Sequence, residues 1–175
     1  MQLEILSWIY GVGAMLSLAL AYQQQKRKKM IFFKLCADVF WVVHYVCLGA
    51  FSGAVPNFIG IFRELVFIRR GHKKWADSPA WLILFIVLNF VLGFFALQSP
   101  VCLLPVCASV FVTVSLWLKN PTYTKLVLVP VSAAFLIYDI FVGSWLGVCN
   151  ESASIASVFF YFLKNYIMKR KAGKK

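Results

Sequence analysis

The sequence predicts an all-α integral membrane protein. Seven transmembrane helices are expected in a 3+1+3 arrangement of two parallel three-helix repeats, N-terminus out and C-terminus in. Three observations carry this. The chain of 175 residues is 62% hydrophobic and only 14% charged, whereas charges make up about a quarter of an ordinary soluble domain. Its apolar residues fall into seven runs, each close to the roughly 17–25 residues that cross a bilayer. Its basic residues occupy alternate loops. Those loops are too short to hold a Rossmann unit, a zinc ribbon or a nucleic-acid-binding fold.

The runs are Ile5–Tyr22, Met30–Ala50, Ala54–Arg70, Ala80–Gln98, Val101–Leu118, Leu126–Trp145 and Val148–Met168. The opening "MQLEILSWIYGVG" has no basic region ahead of its apolar stretch, so it is expected to be the first span and not a cleaved signal. Connections such as "FSG" and "QSP" are tight, which makes neighbouring helices antiparallel. The first loop holds "KRKK" (Lys26–Lys29) and the third "RRGHKK" (Arg69–Lys74). The fifth reads "KNPTYTK" and the tail ends "KRKAGKK". The second, fourth and sixth loops have no Lys or Arg. Arg63 is set inside a span, and the other basic residues are assigned to the cytoplasmic side. This asymmetry gives the orientation. A six-span alternative puts the tail on the wrong side and spoils the pattern. Topology thus accounts for the formal charge of +12, and no nucleic-acid partner is expected. Cys36, Cys47, Cys102, Cys107 and Cys149 show no CxxC spacing and read as packing residues. Cys47, Cys102 and Cys149 fall toward one face, which leaves a disulfide open. No metal or cofactor is expected.

"HYVCLGAFSG" (His44–Gly53) returns 94 residues later as "YDIFVGSWLG" (Tyr138–Gly147). His44 aligns with Tyr138, Tyr45 with Asp139, Gly49 with Gly143 and Gly53 with Gly147. The shared glycines are assigned to the hairpin turn. The same offset overlays spans one to three on five to seven. Residues 1–75 therefore form the first repeat, 76–99 a linker helix, and 100–175 the second repeat with its basic tail. Three spans leave the chain on the wrong side of the membrane, and one extra span restores it. The repeats are then related by an axis along the membrane normal, with a site expected between them.

Charges in the bilayer centre cost roughly 2.5–3.5 kcal/mol on insertion scales, so the polar residues within spans are the candidates for function. Counted from Ser52, Arg63 lies 11 residues along one arm and Asp38 lies 14 along the other. At 1.5 Å per residue the mismatch in depth is about 4–5 Å, which predicts a structural Asp38–Arg63 ion pair, with Glu64 as a rival partner. Arg63 could instead be a cationic centre for an anionic solute. His44 and Asp139 are proton-coupling candidates in an outward vestibule; the simpler role for His44 is a hydrogen bond within the bundle. Trp41, Asn57, Arg63, Asn150 and Glu151 are the substrate-binding candidates. Asn150 and Glu151 also suit a helix start, as cap and dipole partner.

On "HYVCLG" (His44–Gly49), "IGIFREL" with Arg63, "LLPV" (Leu103–Val106) and "CNES" with Glu151, the chain resembles the bacterial inner-membrane YgjV family. Through it the chain resembles the broad SWEET and PQ-loop group. The resemblance covers nearly the whole chain. It implies a multi-pass protein of the bacterial inner (plasma) membrane and alternating-access transport of a sugar or small organic acid. Asparagines of spans three and seven face the sugar in SWEET proteins, a role the resemblance carries to Asn57 and Asn150. The chain departs from that group in having no Pro-Gln pair. Pro130 matches one SWEET-type proline, Pro105 lies at another depth, and Gly11 and Cys36 stand at the first-repeat positions. The expected partners are the lipid bilayer and a small-molecule solute, with a homo-oligomer left open. The alternative is a non-transporting receptor or accessory subunit. An enzyme is not expected, because there is no HExxH and no nucleophile beside a base.

Overall fold

Long apolar runs in lipid have to satisfy their own backbone hydrogen bonds, and a helix does so within one segment. The structure is a computed structural model that describes residues 2–24, 26–118 and 121–172. Side chains are described except at 22, 23, 27, 121–125, 161, 162 and 164–172. Seven α-helices follow in order: α1 (Gln2–Gln23), α2 (Arg27–Cys47), α3 (Phe51–Phe67), α4 (Ala80–Phe95), α5 (Leu103–Trp117), α6 (Pro121–Val142) and α7 (Trp145–Ala172). Short 3-10 turns at Lys74–Asp77 and Pro100–Cys102 lead into α4 and α5. Lys119 and Asn120 of the fifth loop, and the last residues of the basic tail, lie outside the described residues.

Three segments are long and apolar enough to cross a membrane: Gln2–Ala21, Lys28–Cys47 and Pro100–Trp117. Ala80–Phe95 and Leu126–Val142 are shorter apolar helices. Helix α3 spans 17 residues and buries Arg63 and Glu64 among its apolar side chains. The outward surfaces are apolar: Phe94, Phe95, Phe141 and Phe159 are each more than half exposed. Water does not tolerate so much continuous apolar surface, and lipid does.

The turns after α2 and α6 are the same structure. Gly49 has φ 69° and Gly143 φ 72°, the left-handed conformation that favours glycine. In the first turn the Ala50 amide bonds the Tyr45 carbonyl and the Gly49 amide bonds that of Val46. In the second, Ser144 bonds Asp139 and Gly143 bonds Ile140. Both are Schellman endings, and every partner is displaced by the repeat offset.

Gly53 and Gly147 differ from the expectation that all these glycines serve the turn. They sit inside α3 and α7, where they admit a close approach. A Cβ on Gly53 would lie 2.7 Å from the Tyr138 ring, and one on Gly147 only 2.4 Å from the Asp139 carboxyl. Gly11 likewise leaves room for His44 and Leu146.

Consecutive helices pack in antiparallel pairs, and α3 meets α5 while α1 meets α7. One core cluster at the turn end gathers Ala14, Ala37, Trp41, Tyr45, Ala50, Ala54, Cys102 and Tyr138. Small residues there let backbones approach, the usual route to tight packing in lipid. A second cluster around Ile31, Phe67 and Phe85 fills the end that carries the basic loops. All five cysteines are free thiols, and the disulfide left open by the sequence is not formed.

Candidate functional site

A cavity of about 100 Å³ lies among α1, α2, α3, α5, α6 and α7. It is lined by Trp41, Asn57, Arg63, Asn150 and Glu151, the five substrate-binding candidates, together with Asp38. A water needs roughly 10–15 Å³ on this measure, so the space suits several waters or one small solute.

The lining repeats at the sequence offset. Leu18 and Val112, Lys34 and Leu128, Asp38 and Ser132, Trp41 and Phe135, Pro56 and Asn150, and Asn57 and Glu151 are each 94 residues apart, and both members of every pair face the cavity. Pro56 has no amide hydrogen to give the Ser52 carbonyl, so α3 loses one internal bond beside the cavity.

At the end of the cavity nearer the basic loops stands a charged cluster. Lys34 Nζ lies 2.9 Å from Asp38 Oδ1 and 3.0 Å from Glu64 Oε1. Arg63 Nη2 donates to Glu64 Oε1 at 3.0 Å and its Nε to Oε2 at 3.3 Å. Its Nη1 donates to Thr113 Oγ1 on α5 at 2.9 Å. Thr113 passes its own proton to the Ser109 carbonyl at 2.7 Å, which leaves its oxygen free to accept. Asp38, Arg63 and Glu64 are all at most 3% exposed.

The pairing differs from the expected Asp38–Arg63 bridge. Asp38 holds Lys34, Arg63 holds Glu64, and Lys34 joins the two pairs. Lys34 is one helical turn before Asp38 and reaches it along the helix face. Its position near the basic loop hid this role in the charge pattern. The rival partner Glu64 is the one that Arg63 takes. Two cations face two carboxylates, so the Arg63 charge is matched internally.

His44 and Asp139 do not line the cavity. The structure packs them into a closed seam at the turn end, not into the outward vestibule expected from sequence. Two of the bonds across the seam are offset counterparts of each other and a third is its own counterpart. Tyr45 donates to Asp139 Oδ1 at 2.7 Å, and these two residues are themselves 94 apart. His44 Nε2 meets Ser144 Oγ at 2.8 Å. Its counterpart Tyr138 donates to the carbonyl of Ala50, the counterpart of Ser144, at 3.3 Å. Tyr138 also bonds Ser52 Oγ at 2.9 Å.

On the other side of the imidazole, Nδ1 lies 2.8 Å from the Ser7 carbonyl, which can only accept. Nδ1 therefore carries the proton, and Nε2 accepts from Ser144. His44 thus has the bundle hydrogen bonds that were its simpler expected role. Asp139 is fully buried, and its Oδ2 has no hydrogen-bond partner among the described residues.

Trp41 is 5% exposed and stacks on Tyr45 with ring centroids 5.6 Å apart. Asn57 Nδ2 donates to the Gly53 carbonyl at 2.8 Å, which leaves its side-chain oxygen for the cavity. Asn150 Nδ2 donates to Glu151 Oε1 at 2.8 Å. Helix α7 begins at Trp145, so Asn150 and Glu151 lie past its first turn and do not cap it.

Sequence reasoning missed Ser109, whose buried hydroxyl lines the cavity and has no hydrogen-bond partner among the described residues. It also missed Lys34 and the seam role of Tyr45, Ser52, Tyr138 and Ser144. The offset map contained the signal for Tyr45 and Asp139, which are each other's counterparts at 94 residues. Among the described residues no group of three or more His, Cys, Asp or Glu side chains could hold a metal ion.

No curated protein and no solved structure matches the chain. A family model described as a bacterial inner membrane protein, Imp-YgjV, matches residues 5–169. With nearly its whole length matched and an apolar helical surface suited to lipid, the chain belongs to the YgjV family of bacterial inner membrane proteins.

Proposed function

We propose that the protein is a small-solute transporter of alternating-access type, built as seven passes in a 3+1+3 arrangement of parallel repeats. The N-terminus is outside and the C-terminus inside. On this reading α1–α3 (residues 1–75) and α5–α7 (residues 100–175) are the two moving units and α4 (residues 76–99) is the linker. The architecture is that of the SWEET and PQ-loop group. The observation that carries the reading is the cavity wall, where the same positions of both units face the same space. A cavity on a pseudo-two-fold axis is where parallel-repeat transporters bind their cargo. The closed seam on one side of it supports a state shut at the turn end. The Schellman turns and the paired seam bonds support the axis independently.

The solute is small and polar. Trp41, Asn57, Ser109, Asn150 and Glu151 bind it, and the Lys34–Asp38–Glu64–Arg63 cluster holds the first unit rigid beside it. A sugar or a small organic acid was the sequence expectation. The internal matching of Arg63 takes away the anchor for an acid. His44 and Asp139 act by coupling protonation to opening of the seam. The protein works as a carrier and not as an enzyme, within a lipid bilayer.

The test is a thermal-shift screen of purified protein against sugars, sugar acids, amino acids and amines, followed by counterflow in proteoliposomes. A stabilising solute that exchanges across the membrane, with both effects lost in Asn57→Ala, is the expected result. A solute that still binds to Asn57→Ala moves the site elsewhere. Binding without any exchange favours a receptor on the same scaffold.

A further inference from the structure

The cavity wall contains three cation- or anion-bearing positions from the first unit and one from the second. Lys34, Asp38 and Arg63 come from α2 and α3, and Glu151 comes from α7. Lys34 and Arg63 are both engaged by carboxylates at about hydrogen-bond length. Glu151 is different. Its contacts are neutral, the amide of Asn150 and the hydroxyl of Ser132, and among the described residues no Lys or Arg nitrogen lies within salt-bridge distance of it. The space therefore has one carboxylate more than its cations balance. The same wall carries the aromatic side chains of Trp41, Tyr45 and Phe135. An unpartnered hydroxyl, Ser109 Oγ, is buried in the same wall.

We infer that the solute of this cavity is a small organic cation of the hydroxylated ammonium class. The inference rests on the transport reading above and names the chemistry of its cargo. Lys34 is the cation whose charge reaches Glu151, and it is already paired with Asp38 and Glu64, so a carboxylate in excess of its cations in a low-dielectric space is completed by a positive ligand. An acid would set a second negative charge beside it. Aromatic walls favour an ammonium group, above all one that sheds little hydration. A hydroxyl at the far end of the ligand finds Ser109 without a competing partner. The volume fits a molecule of a few heavy atoms and excludes an oligosaccharide.

The test compares two molecules of nearly the same shape. Radiolabelled choline is bound to purified full-length protein, and competition is measured with its uncharged isostere 3,3-dimethylbutan-1-ol, with glycolate and with glucose. The expected result is saturable choline binding in which the neutral alcohol competes at least about tenfold more weakly, the scale of one desolvated charge contact. Glu151→Gln weakens choline to a similar extent while leaving the neutral alcohol unchanged, and Glu151→Asp retains part of the binding. Ser109→Ala produces a smaller loss.

Equal competition by the neutral alcohol, full choline binding by Glu151→Gln, or no choline binding at all overturns the inference. Binding of glycolate or glucose in place of choline also overturns it, yet leaves the transport reading standing if that solute exchanges in proteoliposomes. Glu151-dependent choline binding with no exchange supports the cation site and overturns transport.

Discussion

The two ends of this molecule hold their polar groups in opposite ways. At the turn end, hydrogen bonds run from α2, α3 and the turn between them to α6 and the turn after it: Tyr45 to Asp139, His44 to Ser144, and Tyr138 to Ser52 and Ala50. At the end with the basic loops, ions pair within α2 and α3, Lys34 with Asp38 and Glu64, and Arg63 with Glu64. The Arg63 bond to Thr113 and the Arg70 contacts with Trp117 reach α5 there. The seam is made of single, mostly neutral hydrogen bonds, each worth about 0.5–1.5 kcal/mol net. The ion cluster cannot be separated without leaving a charge bare in a dry interior. A seam can therefore open and close while the cluster stays intact. On the transport reading, the seam is the contact that parts and the ion cluster the contact that stays intact.

Substitutions at the two ends sharpen this contrast. The largest effect is expected for Arg63→Met, which strips Glu64 of its guanidinium and lowers stability by about 3–5 kcal/mol. Denaturant unfolding in detergent measures it, and Arg63→Met with Glu64→Met together recovers most of the loss. A single variant as stable as the parent would show that Lys34 alone suffices for Glu64.

Next comes Gly147→Ala, whose new methyl would lie 2.4 Å from the Asp139 carboxyl. Overpacking of this kind costs about 1–3 kcal/mol, and the same unfolding experiment reads it. Tyr45→Phe removes the shortest hydrogen bond to the buried Asp139 carboxyl, at about 1–3 kcal/mol. Adding Asp139→Leu should cancel much of that loss, and a double-mutant cycle gives the coupling. The smallest effect belongs to Ser144→Ala, about 0.5–1.5 kcal/mol, because His44 keeps its bond to Ser7.

How much of this was written in the sequence depends on the interaction. Helices and tight hairpins were legible, since apolar runs and glycines report on single segments. So was the offset, and with it the residues of the cavity: Asn57 and Glu151 are polar where a span should be apolar, and their counterpart positions meet the same space. The partner of Arg63 was not legible. Depth along a hairpin fixes how near two residues lie along the axis, but which face each helix presents decides whether they touch. Glu64 and Lys34 won on that second coordinate. His44 was misplaced for a related reason: an ionisable residue near a helix end resembles a solvent-facing one until the opposing helix is known. Here α1 and α7 close over it, with Gly11 giving up its side-chain volume to let them. Gly53 and Gly147 looked like turn residues because they follow the turn, yet their service is to the packing of the seam.

The most direct test of the central claim is a distance measured across the seam. Phe51 and Trp145 are offset counterparts at the start of α3 and α7, both exposed at 49% and 63%. Spin labels there, in lipid nanodiscs, report the separation of the two units by pulsed electron paramagnetic resonance. The parent protein should give a short-distance population together with a longer one. Tyr45→Phe combined with Ser144→Ala should shift weight to the longer distance, while a label pair flanking the Arg63 cluster stays fixed. A single distribution that is the same in the parent and in the folded variant would contradict a seam that opens.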